Sequence, residues 1–365
     1  MTRQAHVHRL STRSPDDVEG LASAIAEGRI DPKAIVAIFG KTEGNGCVND
    51  WTRALAARAL RDLLTHHVGM EAAGQVCLVM SGGTEGGLSP HVTVFETRDG
   101  AHRAEAGALA IGHAHTADLP PEHLGRLTQV YAVAAGVKRA LREAGIEDMA
   151  DVHFVQVKCP LLTSERVADA RRRGVDCATT DTLKSMGMSR AAAALGVAMA
   201  LGEVGAESLA DGMIGQDLSV FSTRASASAG VELLGHEVVA LGTGRDWCGP
   251  LRIDHGTMAD ALDVAPVRAA LARLDLASAG QLAPAQRLRL VALLAKVEAS
   301  SDGTLRGFRH TMLVDSDISP TRHARGFTGG VLAGLVGHAE LYVSGGAEHQ
   351  GPDGGGPVAI IAETA

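Results

Sequence analysis

Aromatic side chains are scarce in this chain and basic side chains are outnumbered by acidic ones, and both facts argue against a nucleic-acid partner. Aromatic residues make up 3% of the sequence, so few rings are available on which nucleic-acid bases could stack. The formal net charge is -8, which leaves no excess of positive charge for a phosphate backbone. We therefore expect neither DNA nor RNA to be a main partner.

Paired cysteines and long apolar runs are missing as well. The five cysteines are widely spaced and contain no C-x-x-C pair, which is typical of a reduced, intracellular protein. No stretch offers the roughly 20 uncharged apolar residues that a membrane-spanning helix needs. The N-terminal stretch MTRQAHVHRLSTRSPDD has no apolar core of a secretion signal. The sequence thus predicts a cytoplasmic protein with no membrane partner.

Motifs for bound nucleotides and for zinc are also absent. The glycine-rich stretches GGTEGG and GPDGGG lack the Lys-Ser or Lys-Thr ending of a phosphate-binding loop, and no H-E-x-x-H helix occurs. His113 and His115 could bind zinc, but a solvated loop is the preferred interpretation of this short pair. We expect no organic cofactor and no zinc.

A threefold repetition is the main positive feature of the sequence. Each third carries a lysine after an apolar run, an arginine that opens a helix and a serine among small residues. The lysines are Lys41, Lys158 and Lys296; the arginines are Arg53, Arg190 and Arg322; the serines are Ser81, Ser226 and Ser344. The period of roughly 120–140 residues is too long for a solenoid and suits domain-sized units.

The repetition predicts an α/β fold of three similar βα units around a pseudo-threefold axis, with an active site at the centre. We call the units A (residues 1–103), B (112–250) and C (256–365). Two assignments have rivals. The stretch STRASASAG also offers Ser222 and Ser228, and Arg325 lies close to Arg322. Ser226 matches the small-residue turn, and Arg322 matches the Thr-Arg and Ser-Arg contexts of the other units.

These residue types together can perform acyl transfer. A serine hydroxyl is a weak nucleophile and needs a nearby base. Lysine can be that base when burial or a neighbouring cation lowers its pKa. A glycine or alanine after the serine lets a backbone N–H approach a developing oxyanion. Three such sets around one axis suit a small, flat ring with alternating carbonyl and N–H groups.

Three longer motifs resemble one known family. The stretches GKTEGNGCVNDWTR, VMSGGTEGGLSPH and YVSGGAEHQGPDGGGP are similar to those of the cyanuric acid amidohydrolase/barbiturase family, and the resemblance runs from HVHRL to PVAIIAE. It implies hydrolytic opening of cyanuric acid to carboxybiuret, in s-triazine degradation, or of barbituric acid to ureidomalonic acid. A ring-binding protein without catalysis is a further alternative, against which the intact Lys158 and Ser226 speak.

The resemblance also implies residue roles. Ser226 is the implied nucleophile and Lys158 its base, while Lys41 and Lys296 complete supporting dyads. Arg53, Arg190 and Arg322 are the implied carbonyl-binding arginines. The implied substrate clamps are Ser81 and Gly82, Ser344 and Gly345, and Ala227, which follows Ser226. A homotetramer is implied as well.

A structural Mg²⁺ or Ca²⁺ is the last implication of the resemblance. The loop AEHQGPDGGGP is rich in glycine and could turn several carbonyls toward a hard cation. The implied ligands are the Glu298 side chain and carbonyls around Ala347, Gln350, Gly351, Pro352 and Gly355. Such an ion would hold the Ser344 clamp in place.

Overall fold

The computed structural model describes residues 2–101 and 107–364 as a mixed α/β structure. The strands are β1 Arg3–Ser11, β2 Ile35–Thr42, β3 Cys77–Gly82, β4 His91–Asp99, β5 Ala108–His115, β6 Val152–Pro160, β7 Ala225–Gly230, β8 Glu237–Gly244, β9 Trp247–Cys248, β10 Leu251–Met258, β11 Leu290–Val297, β12 Thr304–Leu305, β13 Phe308–Arg309, β14 Tyr342–Gly345 and β15 Gly356–Glu363. The α-helices are α1 Glu19–Ala26, α2 Trp51–Val68, α3 Met70–Gln75, α4 Leu127–Ala144, α5 Ser164–Arg172, α6 Thr182–Ala200, α7 Ala265–Arg273, α8 Pro284–Arg289 and α9 Pro320–Val336.

Three sheets share one topology. The strand orders are β3-β2-β4-β1, β7-β6-β8-β5 and β14-β11-β15-β10, with β9 added to the edge of the first sheet. In each sheet the first two strands are parallel and the other two pairings are antiparallel. The second strand of each order has a register shift near its start, between Ile35 and Ala37, Val152 and Phe154, or Leu290 and Ala292.

Largely apolar sequence explains the central strands. The runs IVAIF in β2, VHFVQV in β6 and LVALLA in β11 are almost wholly buried, as strands covered on both faces require. Each is followed by a helix that carries one of the repeated arginines: α2, α6 or α9. Helix α2 begins after Asp50, whose carboxylate accepts from the Thr52 N–H, and α9 begins with Pro320 at its first position.

The core has an inner part shared by the three sheets and outer parts between each sheet and its helices. Phe39, Val155 and Leu294 belong to the same buried cluster although they lie in different sheets. A second cluster joins α7 and α9 to the third sheet, and another joins α1 and α2 to the first. The inner faces of the three sheets therefore pack against one another.

The predicted α/β fold of three similar units is confirmed. The predicted limits of the units stay predictions, and the limits at residues 1, 103 and 365 lie outside the described residues. One detail of the prediction is wrong: Ser81, Ser226 and Ser344 lie within strands β3, β7 and β14, and the turns begin only after these strands end. Among the described helices, none combines the length and apolar character needed to cross a membrane.

Candidate active site

The strand register identifies the serine that faces each lysine. Ser81 lies opposite Lys41 on the parallel strands β3 and β2. Ser344 lies opposite Lys296 in the same way. In unit B the residue opposite Lys158 is Ser228. The predicted equivalence of Ser226 with Ser81 and Ser344 is therefore wrong.

Ser226 occupies a deeper position of the same strand. It lies opposite Gln156, two residues further from the strand end, a displacement of about 6.6 Å. Its hydroxyl is fully buried and has no hydrogen-bond partner among the described residues. The N–H of Ala227 donates to Oε1 of Gln350 at 2.6 Å, so it is not available to a substrate. The structure thus places Ser228 and Ala229 where Ser226 and Ala227 were predicted.

The three strand-end serines meet at one point. The Ser344 hydroxyl lies 3.2 Å from that of Ser81 and 3.2 Å from that of Ser228. A pocket opens above them. It is lined by Asn45, Gly46, Cys47, Arg53, Ser81, Gly82, Leu183, Met186, Arg190, Ser228, Ala229, Ser319, Thr321, Arg325, Ser344 and Gly345. The predicted clamps Ser81, Gly82, Ser344 and Gly345 are all brought together here.

Each lysine of the repeat also contacts the next unit. Its amine donates to the backbone carbonyl of the residue that precedes another unit's serine. These bonds run from Lys41 to Val343 (2.7 Å), from Lys158 to Met80 (2.6 Å) and from Lys296 to Ala227 (2.5 Å). The cyclic pattern supports Ser228 independently, because Ala227 precedes Ser228 as Met80 precedes Ser81.

Burial makes these lysines possible bases. It lowers the pKa of Lys41 and of Lys296 well below the ordinary value, with neighbouring arginines adding to the effect. Burial lowers the pKa of Lys158 too, although the Glu232 carboxylate opposes it. A neutral amine can donate to carbonyls and use its lone pair to accept from a hydroxyl. Lys41 and Lys296 each lie 3.2 Å from the hydroxyl of their own serine.

The arginines follow the same cyclic arrangement. Arg53 donates to the carbonyl of Ala229 at 2.8 Å, and Arg190 forms two hydrogen bonds with Glu348. The third pocket arginine is Arg325, which forms two hydrogen bonds with Glu85.

The prediction of Arg322 as the third pocket arginine is wrong. Its side chain is 36% exposed, against 3% for Arg325, and it contacts Glu85 without lining the pocket. Arg325 lies about one helical turn further along α9, where its side chain enters the pocket lined by the three serines. A signal was present in the sequence, since Arg53, Arg190 and Arg325 are each followed by alanine or glycine.

Three carboxylates were missed at the sequence level. Glu85, Glu232 and Glu348 each lie four residues after a strand-end serine, so the spacing S-x-x-x-E recurs in every unit. Glu85 and Glu348 hold pocket arginines, and Glu232 forms an ion pair with Lys158. The spacing becomes visible only when Ser228 is taken as the unit B serine.

The second glycine of each Ser-Gly-Gly motif has a steric role. Gly83 and Gly346 have positive φ values of +105° and +77°. A Cβ atom at Gly83 would collide with the Arg325 guanidinium, and one at Gly346 with that of Arg190. The motif therefore lets an arginine from another unit pass over the backbone just after the serine.

The predicted metal ligands are partly brought together. Glu298, Ala347, Gly351 and Pro352 line one cavity of about 220 Å³, whereas Gln350 and Gly355 do not line it. One Glu298 oxygen accepts from the Thr321 hydroxyl at 2.8 Å and from the Gly346 N–H at 2.9 Å, and burial raises the pKa of this carboxyl. A buried carboxylate beside a glycine-rich loop fits a hard cation.

Two histidines form a cluster with an aspartate on strands β6 and β10. His153, Asp254 and His255 are the one group of three possible metal ligands in residues 2–101 and 107–364. Asp254 is held by two hydrogen bonds from Arg273, and the two imidazoles lie 2.9 Å apart through their Nδ1 atoms. His113 instead contacts Glu143 at 3.0 Å.

Known proteins share this architecture along the whole chain. The model of the amidohydrolase ring-opening protein family matches residues 6–363. A cyanuric acid amidohydrolase of Bradyrhizobium sp. (strain ORS 375) is 62% identical over 99% of this chain and 98% of its own length. Another from Pseudomonas sp. (strain ADP) is 51% identical over 98% of each chain.

Two solved structures agree closely with the fold. The crystal structure of cyanuric acid hydrolase from A. caulinodans has a TM-score of 0.92 at 60% identity and covers 100% of this chain and 99% of its own. A second cyanuric acid hydrolase, described as an evolutionary innovation by structural concatenation, has a TM-score of 0.95 at 50% identity with 100% of both chains covered. The chain therefore belongs to the cyanuric acid amidohydrolase family of ring-opening amidohydrolases and is a hydrolase that acts on a cyclic amide.

Proposed function

We propose that the enzyme hydrolyses cyanuric acid to 1-carboxybiuret with a Ser228–Lys158 dyad. The observation that carries the proposal is the cyclic set of contacts around one pocket, in which each unit supplies a serine, a lysine and an arginine. Cyanuric acid has three carbonyls that alternate with three N–H groups, so each unit meets an equivalent edge of the ring. The relatives named for this activity support the same substrate.

Ser228 is proposed as the nucleophile because unit B departs from the other two. Only one ring bond is cut, so one dyad must differ from the two that only bind. Ser228 is followed by alanine where the other serines are followed by glycine. Lys158 is also the repeat lysine that forms an ion pair with a carboxylate, at 2.6 Å from Glu232.

Ring opening then follows the logic of acyl transfer. Neutral Lys158 takes the hydroxyl proton while Oγ of Ser228 forms a bond to a ring carbonyl carbon. The pocket arginines stabilise the oxyanion that develops. The C–N bond breaks as the Lys158 ammonium returns the proton to the leaving ring nitrogen. Lys158 deprotonates a water molecule that attacks the acyl carbonyl carbon, and the bond to Oγ of Ser228 breaks as the Lys158 ammonium returns the proton to Oγ, which releases the carboxyl product.

Turnover of two rings tests the substrate assignment. We expect cyanuric acid to be opened with a kcat/KM well above that for barbituric acid, in which one ring N–H is replaced by CH₂ and loses a hydrogen bond. Product formation is measured for both rings with purified protein. Preferential turnover of barbituric acid would make the enzyme a barbiturase, and turnover of neither ring would refute the catalytic proposal.

We also propose a structural Mg²⁺ or Ca²⁺ at Glu298. The cavity lined by Glu298, Ala347, Gly351 and Pro352 supports it, because Glu298 also receives the N–H of Gly346, next to the Ser344 clamp. The ion would make the loop between β14 and β15 rigid and would take no part in the reaction itself. A homotetrameric assembly and a cytoplasmic location stay predictions.

Chelation tests the metal proposal. Adding 1 mM EDTA to protein purified with the metal is expected to lower Tm by several degrees, since a ligand bound only to the folded state at about 100 times its Kd contributes about 2.7 kcal/mol. Mg²⁺ or Ca²⁺ added back should restore Tm in the wild type and not in Glu298→Gln. A Tm that responds to neither EDTA nor added metal would contradict the proposal.

A further inference from the structure

Glu232 breaks the threefold pattern of contacts around the pocket. Its equivalents Glu85 and Glu348 bind arginines that come from another unit, through two hydrogen bonds each to Arg325 and Arg190. By the same rotation Glu232 would bind Arg53. Its carboxylate lies instead 2.6 Å from the Nζ atom of Lys158.

Arg53 is displaced in the complementary way. Its guanidinium donates to the carbonyls of Ala229 at 2.8 Å and Cys47 at 2.6 Å. In the other units the carbonyl after the serine, that of Gly82 or Gly345, accepts from the lysine of its own unit. The two cations have therefore exchanged partners in unit B. Arg53 binds the Ala229 carbonyl, whose equivalents bind a lysine, and Lys158 binds the Glu232 carboxylate, whose equivalents bind an arginine.

The backbone at Gly230 accommodates this exchange. A Cβ atom there would collide with the carboxylate of Glu232, whereas at the equivalent Gly83 and Gly346 it would collide with a guanidinium. The glycine two residues after the serine thus borders an arginine guanidinium in units A and C and a glutamate carboxylate in unit B. Lys158 makes no hydrogen bond to Ser228 among the contacts of the described residues, while Lys41 and Lys296 both contact their serines.

We propose that Glu232 is a positioning residue that sets the charge of Lys158. Paired with Glu232, Lys158 is held as an ammonium; when the carboxylate turns to Arg53, as Glu85 and Glu348 do with their arginines, Lys158 releases its extra proton to solvent and the neutral amine can accept the Ser228 proton. The inference rests on the proposed Ser228–Lys158 dyad. A substrate that binds Arg53, or that displaces its guanidinium from the Ala229 carbonyl, would drive this change of partner by the Glu232 carboxylate.

Among the charged groups around Lys158, the Glu232 carboxylate has the largest effect on the charge of the amine. The groups that act on the Lys158 amine are Glu232, Arg53 and Cys159. Lys158 and Glu232 also line a second cavity of about 250 Å³, together with Arg58, Arg61 and Glu237. Burial and Arg53 favour the neutral amine, and the Glu232 carboxylate opposes both. Removing that carboxylate therefore favours the neutral amine at lower pH.

The pH profile of Glu232→Gln tests the inference. Neutral Lys158 is the active form, so kcat/KM of the free enzyme falls as pH drops through the Lys158 pKa. In Glu232→Gln that acid limb should move to lower pH by about one unit or more, since losing an adjacent opposite charge lowers a lysine pKa by that order. Glu232→Asp should return the limb toward the wild-type position.

Two further variants separate this role from a structural one. Gly230→Ala should shift the limb in the same direction, because its Cβ displaces the Glu232 carboxylate without removing an ionisable group. Glu85→Gln is the matched control: it should raise KM through Arg325 and leave the limb in place. An unshifted limb in both Glu232→Gln and Gly230→Ala, with the wild type active, would overturn the inference and leave the proposed function standing. Loss of turnover in the wild type would refute the proposed function itself.

Discussion

Ser228→Ala should lower kcat for cyanuric acid by about 10⁴-fold or more, the scale seen when a catalytic nucleophile is removed. The hydroxyl of Ser228 lies at the pocket, opposite Lys158 in the strand register. No other group in the dyad can form the acyl-enzyme once Oγ is gone. The measurement is steady-state turnover with a substrate-binding assay beside it, because the variant should still bind the ring.

Ser226→Ala is the matched control for this prediction. It removes the same atom from the same strand, two residues away, and should change kcat by less than about twofold. The Ser226 hydroxyl is buried without a hydrogen-bond partner in the described structure, so its removal should leave stability unchanged or raise it. Ser81→Ala and Ser344→Ala each remove one clamp and should lower kcat by about 10²- to 10³-fold. If Ser226→Ala is inactive and Ser228→Ala is active, the register-based assignment is wrong.

The lysines of the site were predictable from sequence, and the unit B serine was not. Lys41, Lys158 and Lys296 each follow a long apolar run. Because such a run predicts a buried strand, the lysine after it is predicted to lie at the end of that strand. Ser226 and Ser228 are two residues apart in a strand, so both face the same side and the pattern of side-chain polarity cannot separate them. Only the pairing of β7 with β6 shows which of the two serines lies opposite Lys158.

A local signal for Ser228 nevertheless exists. Reading the motif as serine, small residue, glycine aligns Ser228-Ala229-Gly230 with the two Ser-Gly-Gly motifs, whereas Ser226-Ala227-Ser228 lacks the final glycine. The third position matters physically, because a charged side-chain group lies where a Cβ atom would be in every unit: a guanidinium from another unit at Gly83 and Gly346, and the nearby Glu232 carboxylate at Gly230. The glycine is thus a better marker of the site than the residue directly after the serine.

Contacts between units could not be read from sequence. Arg325 and Glu85 are 240 residues apart, and Arg190 and Glu348 are 158 apart. The S-x-x-x-E spacing indicates that the glutamates are equivalent, but not which cation each one binds. The exchange of partners between Arg53 and Lys158 depends on the packing of three units at once, and the sequence of any single unit carries no trace of it.

Lys158→Met is expected to lower kcat by about 10⁴-fold, because the Ser228 proton then has no acceptor in its own dyad. The residual rate should also lose the acid limb of the wild-type pH profile, since the group that titrates is gone. Methionine keeps most of the volume of the lysine stem, so packing at the strand end is preserved.

The other two lysines and a double variant complete the experiment. Lys41→Met and Lys296→Met should retain more activity than Lys158→Met and keep the acid limb, because those lysines hold clamps. Lys158→Met alone leaves the buried carboxylate of Glu232 without its partner, a change that costs up to about 3–5 kcal/mol when no other cation can reach it. Lys158→Met/Glu232→Gln removes both charges and should melt at or above the temperature of Lys158→Met while remaining inactive. A double variant that folds and recovers wild-type turnover would show that Lys158 is not the base.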